Sequence, residues 1–564
     1  MRLPRRFPAI VAVAFLATAV ATLARAYDEP DAVKSRFPDP VVSYHTPGFA
    51  AGRSDFASHD ELMTWLADLT IRAPNAHLRI LGESQEGRSI PMLVLSNAPV
   101  ASAADVLRLH RPVVWLQGLQ HGDEPAGGEA MLAIAERLAV GDLNPLLDRI
   151  TVLIVPRANP DGAARFTRRT ANGIDINRDH VKFDLPETAA VHRAMNAYQP
   201  QVVVDCHEFS VYNRWLQKWG VINAYDMTLI YATNPNVPAE LTRFADATYR
   251  SAITAALDGA GYRHGWYYTT SYRETDKRVQ MGGLAPDISR NTFGLQGSIS
   301  FLLETRGVGI GRDHFLRRVH THVVALEAVL RTTAANPDRV MRTVAGTREA
   351  IARAAPAAPF VVTSRQKAVE RTLTMLDPVT GAEHPLTVPF DDSLEAEPLL
   401  VRPRPYAYVL PPAYRDLAPQ ARVERYHRRA PGQAGNARCG RLPCRRQGRR
   451  RDDRRGPCAR HRAHRARPQE DGVPGRIVRR AHGAAQRAAR RCRARAGVGI
   501  ELRDDRRDPG RQGRHRRGRA ERSARLPYRF AGRARALGGG LLARGAWASD
   551  AQGPVAHRGR ANGC

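Results

Sequence analysis

Residues 116–126, with the sequence LQGLQHGDEPA, limit the fold more than any other stretch of the chain. An apolar run at 112–119 stops at the turn His121-Gly-Asp-Glu124, and a helical pattern, GGEAMLAIAERLA, follows. The stretch therefore predicts a buried strand, a tight turn and a helix. Imidazole nitrogen and carboxylate oxygen are both ligands that Zn²⁺ accepts, so His121 and Glu124 can bind one cation. A His-x-x-Glu pair by itself is a weak signal, because packing alone often produces it.

The same order of apolar strand, loop and helix continues along residues 111–332. Strands are predicted at 112–119, 150–155, 201–205 and 298–303, and helices at 127–140, 187–198, 239–258 and 314–332. Because these strands are apolar at nearly every position, they are expected to be buried on both faces. The pattern predicts an α/β fold with a mostly parallel mixed sheet flanked by helices.

Polar side chains follow each of these strands. In chain order they are His121 and Glu124, then Asn159-Pro-Asp-Gly162, then His207, then Glu304. The carboxyl ends of parallel strands meet at one edge of a sheet, so we expect these side chains to lie close together. Three of them are metal-type ligands and Glu304 is a further carboxylate, a set that packing alone rarely produces.

The loop at 166–179 lies between two of the ligand-bearing strands. Arg178 has a planar guanidinium that suits a carboxylate, and Asn177 adds a neutral donor beside it. A solvated basic loop is the alternative interpretation, and the position of the loop favours binding.

Two earlier elements complete the predicted domain. Residues 58–71 have helical periodicity, with Ser58 as N-cap and Glu61 three residues later, which is typical of a capping box. Residues 77–82 and 89–95 read as two strands joined by the turn at 86–88, and so predict a hairpin.

With these residues assembled, the chain resembles the zinc carboxypeptidase family, the funnel-type metallocarboxypeptidases. The matching pieces are Gly82-Glu-Ser-Gln-Glu-Gly87-Arg88, His121-x-x-Glu124, Asn159-Pro-Asp-Gly162, Gly173-Ile-Asp175-Ile-Asn177-Arg178, His207 and Glu304. The resemblance implies one Zn²⁺ ion held by His121, Glu124 and His207, with water in the open position. It also implies that Asp175 accepts the other ring N–H of His121.

The resemblance implies roles for the remaining residues too. Glu304 would be the general base that deprotonates the water and passes the proton to the leaving amine. Arg168 would polarise the scissile carbonyl, with Arg169 as an adjacent alternative. Asn177 and Arg178 would hold the terminal carboxylate of a peptide substrate.

The chain also departs from the family pattern. Asp123 stands where the digestive enzymes carry Arg, which removes one cationic subsite. The mobile active-site Tyr of the family has three candidates here, Tyr267, Tyr268 and Tyr272, and the sequence does not choose between them. The residue at the floor of the specificity pocket is not placed either.

The charge of the chain is concentrated in its last quarter. The formal net charge is +31, but residues 421–564 contain 41 Arg, no Lys and 11 acidic residues, which leaves residues 1–420 at +1. Residues 1–420 therefore give no reason to expect a nucleic-acid partner. For residues 421–564 two interpretations remain, a disordered Arg-rich arm that binds polyanions or an out-of-frame translation of a GC-rich gene, and the sudden loss of Lys favours the second.

These observations predict four regions. Residues 1–26 read as a signal peptide, with three early Arg residues, an apolar run and Ala24-Arg-Ala26 as cleavage site, which predicts a secreted or periplasmic protein. Residues 27–335 form the predicted catalytic domain, and 336–420 a linker helix with a small β-rich accessory region that includes a strand at 405–412. The Arg-rich tail occupies 421–564. We expect no stable membrane span and a monomer.

The leading hypothesis is an exported zinc metallocarboxypeptidase acting on peptides with a free C-terminus. A zinc amidase or deacylase acting on N-acyl amino acids or cell-wall peptides is the second. An Arg-rich polyanion-binding protein with an inactive peptidase domain is the alternative from another class.

Overall fold

The computed structural model describes residues 27–355, 357–404 and 413. The predicted signal peptide at 1–26, the strand predicted at 405–412 and the Arg-rich tail at 421–564 lie outside the described residues. Within the described part, none of the helices combines the length and the apolar character needed to cross a bilayer.

The described strands form two sheets. In chain order the strands are β1 (Ala76–Glu83), β2 (Ser89–Leu95), β3 (Val113–Gly118), β4 (Thr151–Val155), β5 (Val202–Ser210), β6 (Ile222–Asn223), β7 (Met227–Tyr231), β8 (His264–Trp266), β9 (Tyr268–Thr270), β10 (Val279–Met281), β11 (Ile299–Val308), β12 (Pro359–Leu376) and β13 (Glu383–Pro403). The eight-stranded sheet has the order β1-β2-β4-β3-β5-β11-β7-β8. Its centre, from β4 through β3 and β5 to β11, is parallel, and β1, β2 and β7 pair antiparallel with their inner neighbours.

Helices cover both faces of this sheet. They are α1 (Asp31–Lys34), α2 (His59–Arg72), α3 (Ala103–Arg108), α4 (Pro125–Ala139), α5 (Pro160–Ala164), α6 (Pro186–Tyr198), α7 (Arg214–Trp219), α8 (Ala239–Phe244), α9 (Ser251–Gly259), α10 (Ser289–Leu295), α11 (Phe315–Ala335) and α12 (Pro337–Arg353). A π-helical turn, Ala245–Arg250, joins α8 to α9 in the segment predicted as one helix. The capping box predicted for α2 is present, since Ser58 accepts from the backbone of Glu61 and Glu61 from that of Ser58.

The apolar strands are buried on both faces, as their composition predicts. All six residues of β3 are buried. Val114 and Leu116 belong to the apolar cluster that also includes α2, α4 and α11, whereas Val113 and Trp115 belong to a second cluster with α6. Consecutive side chains of a strand point to opposite faces, so both faces of the sheet centre are covered by helices.

Two of the strands continue beyond their apolar runs. The predictions end them at residues 205 and 303, but β5 extends to Ser210 and β11 to Val308. The polar extensions pair with each other, with His207 opposite Glu304. His207 and Glu304 therefore lie within strands rather than after them, because backbone pairing continues where the apolar pattern stops. The short strands β7 and β8 were not predicted.

A second, five-stranded sheet has the order β6-β12-β13-β10-β9. Its long hairpin, β12 and β13, comes from the region predicted as an accessory module, while its other three strands lie within residues 222–281. Val388 and Phe390 share an apolar cluster with Trp215, Val279 and other residues of the preceding region. The hairpin thus shares a sheet and a core with the predicted catalytic domain.

The first described segment is fixed to the core by Glu29. This carboxylate is 2% exposed and accepts hydrogen bonds from Arg306 Nη2 at 2.8 Å, His314 Nε2 at 2.6 Å and the hydroxyl of Tyr212. Burial raises the pKa of Glu29, but His314, Arg306 and Tyr212 outweigh burial and lower the pKa to about 2.

We expect Glu29→Gln to lower the free energy of unfolding by about 3 kcal/mol at neutral pH, because Arg306 and His314 lose a buried anion. A carboxylate with a lowered pKa stabilises the fold above the pKa of the unfolded chain, near 4.5, and stops doing so as the pH falls towards 2. Urea unfolding should therefore show the difference between the two proteins shrinking below about pH 4. Glu83→Gln, at an exposed position, serves as the control, and a difference independent of pH would contradict this account.

Candidate metal centre

Three side chains meet at the carboxyl edge of the eight-stranded sheet. His121 Nδ1 lies 2.8 Å from Glu124 Oε1, His207 Nδ1 lies 2.9 Å from Glu124 Oε2, and the two Nδ1 atoms are 3.1 Å apart. His121, Glu124 and His207 are at most 3% exposed. They are the cluster of metal-type ligands found among the described residues.

Strand register brings these residues together. Gly118, the last residue of β3, pairs with Cys206 of β5, so His207 lies beside the turn that carries His121. Glu124 is the residue directly before α4, whose first turn packs closely on β5. One pair of parallel strands therefore fixes the position of His207 relative to His121 and Glu124, which precede it by more than eighty residues in sequence.

The turn that carries His121 needs a glycine. A Cβ on Gly122 would lie 1.9 Å from the carbonyl carbon of Gly162, so no larger residue fits. The Gly122 N–H donates to the carbonyl of Thr167 at 3.0 Å, and Asn159 Nδ2 donates to the carbonyl of Gln120 at 3.1 Å. The Asn159-Pro-Asp-Gly162 motif thus supports the ligand turn.

The outer nitrogen of each histidine faces a carboxylate, which is half-buried for Asp175 and buried for Asp205. His121 Nε2 lies 3.2 Å from Asp175 Oδ1, the contact that the family resemblance implies. His207 Nε2 lies 2.8 Å from Asp205 Oδ2, a contact that the sequence analysis missed. Asp205 is two residues before His207 on one strand and therefore on the same face, which is the signal that could have identified it.

These contacts fix which ring nitrogens are free. An Nε2–H that donates to a carboxylate leaves the lone pair on Nδ1. Burial raises the pKa of Asp205, but His207, Ser289 and Gln120 outweigh burial and lower the pKa to about 2, so this carboxylate is ionised. Two Nδ1 lone pairs and an ionised Glu124 then point at one another, an arrangement that a cation stabilises.

The donor set fits zinc. Two imidazole nitrogens and one carboxylate oxygen are the ligands of catalytic zinc sites, in which a fourth position stays open. A tetrahedral ion with bonds of about 2.1 Å spaces its ligands by roughly 3.4 Å. The donor atoms here are 2.8–3.1 Å apart, so side-chain shifts of a few tenths of an ångström would accommodate the ion.

Glu304 lies beside the ligands. It is paired with His207 across β5 and β11 and is 8% exposed. Burial raises its pKa to about 7, with His207 lowering and Glu124 raising it. A carboxylate with a pKa near neutrality is suited to accept and return a proton.

Arg168, and not Arg169, faces the ligands. Arg168 Nη1 lies 3.0 Å from His121 Nδ1 and 3.3 Å from Glu124 Oε1, while its Nη2 donates to Asp175 Oδ2 at 2.9 Å. Arg169 is exposed and donates to the carbonyl of Gly173 at 2.8 Å. The geometry places one guanidinium at the open side of the cluster.

Asn177 and Arg178 occupy different environments. The Asn177 side chain is buried, accepts from the Ser289 N–H at 2.8 Å and has its Nδ2 3.4 Å from His207 Nε2. Arg178 is exposed and donates to the carbonyl of Asn177 at 2.6 Å. Of the two, Arg178 is the side chain that solvent reaches, and the roles predicted for Asn177 and Arg178 stay predictions.

The structure separates the three tyrosine candidates. Tyr267 is half-buried, and its pKa is raised by burial and by Glu304 and lowered by Arg168 and Arg178, which places its hydroxyl in the field of the site. Tyr268 is buried in the apolar core against Met375. Tyr272 is exposed and lies under the Arg214 guanidinium.

Comparison with known families agrees with this geometry. The family model described as zinc carboxypeptidase matches residues 62–322. This part of the chain is a zinc carboxypeptidase domain. The match covers all three candidate ligands and Glu304, and it confirms the resemblance and the α/β fold expected from the sequence.

Curated relatives that match this part of the chain include two proteins named carboxypeptidase 2. The probable carboxypeptidase 2 of Arthroderma benhamiae is 32% identical over 347 residues, which are 60% of this chain and 65% of that protein. Carboxypeptidase 2 of Trichophyton rubrum is 32% identical over 345 residues, 60% of this chain and 63% of that protein. The chain thus matches less than two thirds of the length of either relative.

Among solved structures, a metallo-carboxypeptidase from Burkholderia cenocepacia is 21% identical, with a TM-score of 0.38 over 50% of this chain and 70% of that chain.

A buried polar network extends from the candidate metal centre into the core. Asp205 also accepts from Gln120, whose Oε1 lies 3.0 Å from His180 Nε2, and His180 Nδ1 lies 3.0 Å from His192 Nε2. All three partners are buried. The network keeps Asp205 in place behind His207, and its members are too scattered in sequence for a motif to reveal them.

We expect Asp205→Asn to weaken zinc binding by roughly 10- to 100-fold, because the ring N–H of His207 then faces a neutral amide instead of the carboxylate that orients it. Competition against a chromogenic chelator would measure the dissociation constant, and circular dichroism would confirm the fold. Ser289→Ala, which removes a different contact of Asp205, is the matched control and should change zinc affinity less. Equal zinc affinity in wild type and Asp205→Asn would show that Asp205 does not position the ligand.

Proposed function

We propose that this protein is an extracytoplasmic zinc carboxypeptidase that hydrolyses the last peptide bond of peptides with a free C-terminus. The observation that carries the proposal is the convergence of His121, Glu124 and His207 on one point, with Glu304 and Arg168 beside it. The family of the domain supports the chemistry, and the exposed Arg178 supports recognition of a terminal carboxylate.

The metal would be held by the two Nδ1 atoms and the Glu124 carboxylate. When bound there, zinc supplies a Lewis acid for the scissile carbonyl and lowers the pKa of a water molecule to about 7. Glu304 accepts the proton of the attacking water and donates it to the nitrogen of the departing amino acid. Its pKa of about 7 allows both transfers near neutral pH.

Two guanidinium groups position and stabilise the substrate. Arg168 donates to the oxygen that becomes negative as the carbonyl is attacked, and its ion pair with Asp175 fixes its direction. Arg178 pairs with the terminal carboxylate, which selects the last residue of the chain. Asp175 and Asp205 keep the histidine rings in the ligand orientation.

The cellular place of the reaction rests on the sequence. The signal peptide expected at 1–26 would direct the protein to the exterior or the periplasm, where peptides are the accessible substrates. The near-neutral net charge of residues 1–420 gives no reason to expect a polyanion as partner. The charge density that supports polyanion binding belongs to residues 421–564, outside the described residues.

A peptide panel distinguishes the carboxypeptidase from the amidase or deacylase. Peptides with free, amidated and N-acylated ends would be incubated with the full chain, with and without a chelator, and the released fragments identified by mass spectrometry. Release of single C-terminal residues that stops on chelation supports the proposal. Cleavage of N-acyl groups, or equal cleavage of amidated peptides, would replace it by the amidase.

We expect Glu304→Gln to lower kcat by about 10²–10⁴-fold while zinc content and fold are unchanged, because the amide cannot take up the proton of the attacking water. Metal analysis of the purified variant and stopped assays on one good peptide measure both quantities. Turnover equal to that of the wild type would exclude Glu304 as the base.

We expect Arg178→Ala to lower kcat/KM by roughly 10- to 100-fold on peptides with a free C-terminus, since a charge-assisted contact is lost. The loss should lie mainly in KM. Arg169→Ala is the matched control, because its guanidinium is exposed in the same loop and donates to the carbonyl of Gly173. If both variants behave alike, Arg178 has no specific part in recognition.

A further inference from the structure

Arg290 is a buried cation next to the proposed substrate site. It is the second residue of α10 and is 2% exposed. Its neighbour Ser289 donates its backbone N–H to Asn177 Oδ1 at 2.8 Å, which fixes the start of α10 against the residue before Arg178. The first turn of α10 is therefore held against the segment that carries Arg178, the group expected to bind the end of a peptide.

The hydrogen-bond capacity of Arg290 is largely unused. Its Nη2 donates to the carbonyl of Gly283 at 2.6 Å, and its buried Nε–H has no partner. Among the described residues, no Asp or Glu oxygen lies within 4.0 Å of the Arg290 guanidinium. A guanidinium has five N–H donors and a full charge, and burying it without a paired anion is costly.

The surroundings of Arg290 belong to the site. A Cβ on Gly282 would lie 2.8 Å from Arg290 Nη2 and 2.9 Å from Tyr267 Cδ1, so the guanidinium and the tyrosine ring border the same glycine. Burial lowers the pKa of Arg290 to about 10, with Tyr267 and Glu304 raising it and Arg178 lowering it. The guanidinium of Arg290 therefore interacts electrostatically with both Glu304, the proposed base, and Arg178.

We infer that Arg290 binds the side-chain carboxylate of the substrate's last residue, so that the enzyme prefers peptides ending in Asp or Glu. The inference rests on the proposed function, and it assigns the residue class that the site accepts. Arg178 and Arg290 then bind two carboxylates of one residue, the terminal one and that of its side chain.

The chemistry of the alternatives favours an acidic residue. An apolar last residue would leave the buried guanidinium without an anion, and Lys or Arg would add a second cation to an already positive environment. Asn or Gln would accept a neutral hydrogen bond, which is weaker than a charge-assisted one. Of these side chains, only a carboxylate both neutralises the charge of Arg290 and accepts from its free N–H donors.

The test compares peptides that differ only in the last residue, Glu, Gln or Leu, on the wild-type full chain and on Arg290→Gln. The wild type should have a kcat/KM roughly 10- to 100-fold higher for Glu than for Gln, and the variant should lose this preference. Arg278→Gln, which removes an exposed arginine paired with Asp391, is the matched control and should keep the preference.

The outcomes separate the inference from the proposed function. Release of C-terminal Leu but not Glu would retain the carboxypeptidase and overturn the role of Arg290. An equal fall for all three peptides in Arg290→Gln would also overturn it, because a structural residue or a partner of Glu304 affects every substrate alike.

A binding measurement tests the role of Arg290 without depending on turnover. L-glutamate and L-glutamine, the products expected from two of the peptides, would be titrated against the full-chain wild type and Arg290→Gln by calorimetry. L-glutamate should bind the wild type at least about ten-fold more tightly than L-glutamine, and the two should bind the variant equally. Equal affinities in the wild type would overturn the inference even if no peptide is cleaved.

Discussion

The orientation of two histidine rings is the constraint on which the rest of the site depends. Asp175 and Asp205 each take one outer ring nitrogen, and as a result the inner nitrogens of His121 and His207 lie 3.1 Å apart beside Glu124. Neither carboxylate would touch the ion itself. They act by removing the freedom of the rings to rotate or to change tautomer, which would leave the cluster preformed for the proposed ion.

The parallel centre of the sheet supplies the second constraint. β3, β5 and β11 run side by side, so residues far apart in sequence arrive at one edge in fixed register, with Glu304 opposite His207. A strand holds its side chain more rigidly than a loop does. The proposed base and one ligand therefore lie opposite each other on hydrogen-bonded strands, which fixes the distance between their backbones.

The sequence predicts much of this arrangement for physical reasons. Apolar runs predict the central strands, and the residues that follow them predict the edge where polar side chains meet. The role of Asp205 was not predicted because the residue ends an apolar run within β5, where the pattern indicates a strand and not a site. Arg290 was not predicted as a site residue because what distinguishes it is burial without a paired anion, and the spacing of residues in the sequence does not indicate burial of this kind.

Other differences have the same origin. The apolar pattern of β5 and β11 ends before the strands do, since hydrogen bonding between polar segments leaves no mark in hydropathy. The choice of Arg168 over Arg169 depends on which side of a loop faces the ligands, and adjacent residues of one type cannot be separated by composition. Tyr267 is likewise distinguished from Tyr268 only by the direction of alternating side chains along the chain.

The long hairpin of β12 and β13 supports the site because it holds the segment that contacts Arg290. β13 pairs with β10, and Ser393 Oγ donates to the carbonyl of Met281 at 3.0 Å. Residues 279–281 lead directly to Gly282, which borders Tyr267, and to Gly283, whose carbonyl accepts from Arg290. The predicted boundary at 335/336 therefore divides the sequence but not the sheet. The strands on either side of this boundary, β10 and β13, pair next to Gly282 and Gly283, which contact Arg290.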